Sequence, residues 1–161
     1  MTEVLAALLG AVVAGIIPFF VGRLDKRKQQ EAVVRAIAAE VATLCEFIRL
    51  QAYPDNYAIA AKVAAAGLQS EMMPIDAKQN YFVVYEAVAP SIGSLSGEQA
   101  SQIARFYSLL KIAMDTARPD SLFPATEQNL NFMHALSVEI LKIGDAIVQF
   151  PRDPLNYKAL Q

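Results

Sequence analysis

Apolar and polar positions divide the chain into two parts of different kind. Residues 4–22 read VLAALLGAVVAGIIPFFVG, nineteen positions without a charge or a polar side chain. At 1.5 Å per residue such a helix is roughly 28 Å long, close to the ~30 Å hydrocarbon core of a bilayer. Beyond it the apolar residues recur with helical period instead. Val34, Ile37, Val41, Leu44 and Ile48 are spaced 3-4-3-4, and so are Ile103, Phe106, Leu110, Ala113 and Ala117. Leu130, Met133, Leu136, Ile140, Ile143, Ile147 and Phe150 mark one side of a last long segment. The pattern predicts an all-α protein with one N-terminal transmembrane helix followed by a four- to five-helix cytosolic bundle. Its expected parts are the transmembrane helix over residues 1–22, a basic stop-transfer segment over 23–29, the bundle over 30–150 and a tail over 151–161.

Local signals place the bundle's boundaries. Tyr53-Pro54-Asp55 is expected to end the first cytosolic helix, because proline disfavours helix at the preceding residue. An Ala-rich helix over residues 56–66 should stop at Gly67, and residues 69–76, with Pro74, read as a loop. Residues 81–85, Tyr-Phe-Val-Val-Tyr, have strand propensity, yet one strand cannot make a sheet. Phe82, Tyr85, Ala89 and Ile92 also fit helical spacing, so a helix is expected. Ser96-Gly97-Glu98-Gln99 reads as a capping box, the Ser hydroxyl and the Gln side chain each taking a free backbone N–H. Arg118-Pro119 should close that helix, Pro124 open the last one and Pro151 stop it.

The apolar span is two-faced. At about 100° per residue, Ala6, Ala7, Gly10, Ala11, Ala14 and Gly15 fall within one half of its circumference. Leu5, Leu8, Leu9, Val12, Val13, Ile16, Phe19 and Phe20 fall in the other. Ala6/Gly10/Ala14 and Ala7/Ala11/Gly15 form two adjacent small-xxx-small rows, which let helix backbones approach closely in lipid. A chain with one span must find its partner helices in other copies, so these six residues are the expected oligomer interface. A small face half the helix wide suits two neighbours, as in a ring. Pro18 cannot donate to the carbonyl of Ala14, and reads either as a kink or as a proline tolerated near a helix end.

Charge then sets the orientation. Only Thr2 and Glu3 precede the apolar run after the first Met, whereas Arg23, Lys26, Arg27 and Lys28 follow it. A cleaved signal peptide carries its basic residues first. By the positive-inside rule the basic run stays in the cytoplasm and the amino terminus lies outside, in the bacterial inner membrane. Elsewhere charge is close to balance, with 14 Lys+Arg against 16 Asp+Glu. Nothing in that balance asks for nucleic acid.

Candidate chemistry is sparse. One cysteine, Cys45, cannot form an internal disulfide, and one histidine, His134, cannot anchor a multi-histidine metal site. Glu86, inside an apolar run, could do acid–base work if buried, but on a helix it projects away from the Phe82/Tyr85/Ala89 side and reads as a structural acid. His134 has no nucleophile elbow near it and reads as structural too. Walker A, GxGxxG, HExxH and paired-cysteine motifs are missing, as is Glu-x-x-His on two helices. No catalytic residue, metal or cofactor is expected.

Tyr85-Glu86, Ile92-Gly93 with Leu95, Ile103 and Phe106-Tyr107 resemble a pattern in short uncharacterised bacterial and prophage single-span membrane proteins with a cytosolic helical domain. That resemblance covers the whole layout but only about 25 residues by motif, and it implies location and architecture alone. In layout the chain is also similar to helical membrane accessory proteins of bacterial anti-phage systems, which assemble into pores. The expected function is that of a homo-oligomeric inner-membrane protein acting by assembly, as a pore or signalling effector. The alternative is a membrane-anchored adaptor whose bundle recruits a cytosolic protein partner.

Overall fold

The structure, a computed structural model, describes residues 2–75, 81–118 and 120–152, with side chains from Asp25 to Pro151. Five α-helices occur among the described residues: α1 (Thr2–Leu50), α2 (Tyr53–Ala65), α3 (Val83–Ile92), α4 (Gly97–Thr116) and α5 (Glu127–Gln149). A short 3-10 turn, Phe150–Arg152, follows α5. No strand occurs among them, so the all-α, helical-bundle expectation holds. Among the residues whose side chains are described, from Asp25 on, no helix is long and apolar enough to cross a membrane. The side chains of the span over 1–22, with its small face of Ala6, Ala7, Gly10, Ala11, Ala14 and Gly15, lie outside them, as does that of Arg23. The tail from residue 153 lies outside them as well.

The helical periods read from the sequence are the core. Val34, Ile37, Val41 and Ile48 of α1 are buried, as are Ile103, Phe106, Leu110 and Ala113 of α4. Leu130, Met133, Leu136, Ile140, Ile143 and Ile147 supply the face of α5. This last helix is the spine of the bundle, making extensive contacts with α2, α1 and α4. It runs antiparallel to the first two elements: the His134 ring nitrogen Nδ1 meets the Pro54 carbonyl at 2.9 Å, and Gly144, ten residues on, faces Cys45 and Val41. The amino-terminal half of α5 therefore packs on α2 and the carboxyl-terminal half on α1, while α1 and α2 have few contacts with each other.

Several boundaries differ from expectation, each for a local reason. Tyr53-Pro54-Asp55 opens α2 rather than ending α1, because proline costs nothing in a first turn whose N–H groups have no helical partner. The break falls earlier, at Ala52, whose φ of 50° is left-handed. The last helix begins after Pro124 with Thr126 as its cap; the Thr126 hydroxyl accepts from Asn129 N at 3.3 Å, and Asn129 Nδ2 donates to the Pro124 carbonyl at 2.9 Å. The capping box of α4 is half formed. Ser96 Oγ accepts from Gln99 N at 3.2 Å, but Gln99 is buried with its Oε1 unpaired. In α3 the covered side is Val84, Tyr85, Val88 and Ile92 with Phe82 just before it, whereas Ala89 is exposed and no residue is fully buried.

Candidate functional site

The densest polar arrangement among the described residues gathers at Glu40, a residue that sequence reasoning passed over. Helix α3 begins without a capping side chain, since its N-cap position is Phe82. Its first N–H groups need an acceptor from elsewhere. Glu40, reaching across from α1, supplies it: Oε1 accepts from Val84 N at 2.7 Å and Oε2 from Tyr85 N at 3.1 Å. These are the second and third residues of the helix, whose N–H groups a cap residue would ordinarily take. A carboxylate there also complements the positive end of the helix dipole.

Helix α4 completes the cluster. Tyr107 donates its hydroxyl to Glu40 Oε2 at 2.5 Å. Its ring stacks on Tyr85 with centroids 3.9 Å apart and meets Phe82 edge-on at 5.6 Å. Burial, and then the hydrogen bond to Glu40, hold the Tyr107 hydroxyl protonated well above the ordinary tyrosine range. Three donors thus converge on one carboxylate, which ties α1, α3 and α4 together. The signal available in the sequence was the missing cap at Phe82, but nothing in one sequence names the residue that answers it.

The residues singled out by sequence do not come together. His134 is fixed by its contact with the Pro54 carbonyl, which supports the structural reading. Glu86 is exposed on α3. Cys45 is buried against α5, and burial pushes its thiol up from 9.0 to about 11. Lys26, Arg27 and Lys28 are exposed along α1 beside Asp25. No group of three or more His, Cys, Asp or Glu that could hold a metal ion occurs among the described residues.

An apolar pocket opens between α1, α2, α4 and α5, with Leu44, Phe47, Tyr53, Leu110, Met114 and Ile140 in its wall. Ser137 also lines it, but its Oγ donates to the Met133 carbonyl at 2.7 Å and is occupied. The rim includes Ile75 and Tyr81, the two described residues that flank 76–80. Such a wall can exclude water; it offers little to orient a reacting group.

No protein-family model, curated protein or solved structure matches this chain.

Proposed function

We propose that the chain is a homo-oligomeric inner-membrane protein that acts by assembling in the bilayer, as a pore or a signalling effector. Its amino terminus lies outside and its bundle in the cytoplasm, and anti-phage defence is the setting its layout suggests. The observation that carries this reading is one of continuity. The uncharged run over residues 4–22 and the core stripe Val34, Ile37, Val41 belong to a single helix, α1, which is unbroken from Thr2 to Leu50. Copies drawn together through Ala6, Ala7, Gly10, Ala11, Ala14 and Gly15 would bring their bundles together through one continuous helix. Lys26, Arg27 and Lys28, exposed just beyond the span, fit the headgroup level of an anionic inner leaflet.

The adaptor reading has its own support in an exposed apolar patch. Leu122 is 99% exposed, and Phe132 46%. Phe123 lies against Phe132, ring centroids 6.4 Å apart. Arg105 and Glu139 bridge α4 and α5 at 2.9 Å. Two turns further along these antiparallel helices come Ile112 and Phe132, which the bridge therefore sets at one level. The patch sits at the end of α4 remote from the basic run.

Chemical cross-linking in membranes separates the two. Assembly through the small face predicts ladders beyond a dimer for the wild type. Gly10→Leu and Ala14→Leu should shift them downward and abolish dye leakage or membrane depolarisation, while Val12→Leu, on the bulky side, leaves both alone. If all three variants behave like wild type, the spans do not associate this way and the adaptor reading takes over.

A further inference from the structure

We propose that α3 is a strap that detaches from the bundle as a unit, with the Glu40 carboxylate as its latch. Detachment would bare the α1 surface around Val33 and Ile37. Four observations combine. First, α3 has no fully buried residue, unlike α2, α4 and α5, and it packs chiefly on α1. Second, polar contacts with α1 fasten it near both ends. Glu40 takes the Val84 and Tyr85 N–H groups at one end, and Gln30 Nε2 donates to the Ser94 carbonyl just past the other.

Third, the fastenings are in register. Gln30 and Glu40 are ten residues apart on α1, as Val84 and Ser94 are on the antiparallel strand of contacts. At 1.5 Å per residue both spans are about 15 Å. Gln30, Val33, Ile37 and Glu40 follow one another at spacing 3-4-3, so Val33 and Ile37 lie between the fastenings; they are 7% and 0% exposed. Fourth, a ten-residue helix cannot stand alone in water, where lengths below ~12–15 residues are marginal. Once released, α3 melts instead of lingering as a competing helix. Opening is thus an order–disorder step that leaves the α2·α5, α1·α5 and α4·α5 contacts in place.

Hydrogen–deuterium exchange of the full chain in detergent micelles tests the strap without any assumption about activity. Wild-type amides of Val83–Ile92 should exchange at least ~100-fold faster than those in the middle of α4 and α5, through local opening. Glu40→Gln should speed α3 by about tenfold more and leave α5 unchanged, since it removes the charge from hydrogen bonds that depend on it. Tyr107→Phe and Gln30→Ala should act in the same direction from the other contacts, and serve if Glu40→Gln does not fold. The proposal is overturned if α3 exchanges in step with α4 and α5 in the wild type, or if the latch variants speed all three helices equally.

Discussion

The Sγ of Cys45 occupies the space that a Cβ on residue 144 would need. Phe106 Cε2 and Val41 Cγ1 close the same space at 3.0 and 3.4 Å. Gly144 is what lets α5 approach α1 this closely. In an exposed helix, alanine would be favoured over glycine by ~1 kcal/mol. Here overpacking of ~1–3 kcal/mol opposes that gain, and wins because the blocking atoms belong to short or fully buried side chains. Gly144→Ala should therefore lower the thermal midpoint. Adding Cys45→Ala should recover part of the loss, and a strictly additive double-mutant cycle would refute the clash.

The half-formed cap of α4 predicts opposite outcomes for its two residues. Ser96→Ala removes the hydroxyl that accepts from Gln99 N and should cost about 1 kcal/mol in denaturant unfolding. Gln99→Met deletes a buried oxygen that has no partner, so it should be neutral or stabilising. A loss for Gln99→Met comparable with that for Ser96→Ala would mean that the amide is satisfied in solution.

Alkaline pH should weaken the fold. Burial raises the Cys45 thiol from 9.0 to about 11 and lifts the hydroxyls of Tyr53, Tyr57 and Tyr107 above their usual range. The unfolded chain loses these protons first, so it gains stability relative to the folded one. The full stability present below about pH 9 should fall as pH rises toward 11. Urea midpoints at neutral pH and in that alkaline window check the sign. Thiol labelling at neutral pH should be slow in the folded protein and fast in denaturant.

Orientation and core are testable in one set of fusions. A cytosol-active reporter joined after Gln161 should work and a periplasm-active one should not; the reverse would sink the proposed topology. Ile140→Asp, at a position that is 1% exposed, should unfold the bundle, at a cost of several kcal/mol against a typical stability of ~5–15 kcal/mol. Retention of full helical circular dichroism by that variant would contradict the packing.

The sequence made the core legible because burial follows helical period, as in Ile103, Phe106, Leu110, Ala113 and Ala117, all of them buried. Boundaries were less legible where two readings of one residue compete. Pro54 can close a helix or open one, and only the left-handed turn at Ala52 decides between them. The Glu40 cluster was hidden for a deeper reason. Its partners lie 44 to 67 residues away, on two other helices. Helical period says that Glu40 borders an apolar stripe, but not which cap is missing opposite it. The small-residue face could be read by spacing alone, and its test belongs to membranes.

The placement of α5 across both α1 and α2 has a thermodynamic consequence. Ala52 interrupts what would otherwise be one helix, and a chain broken there would separate into two independently melting pieces were nothing laid over the joint. Because α5 holds Pro54 through His134 on one side of the joint and faces Cys45 through Gly144 on the other, neither piece can lose its partner without the other. Helices α2, α4 and α5 and the part of α1 from Val33 on should accordingly melt in a single transition, with calorimetric and van't Hoff enthalpies in agreement.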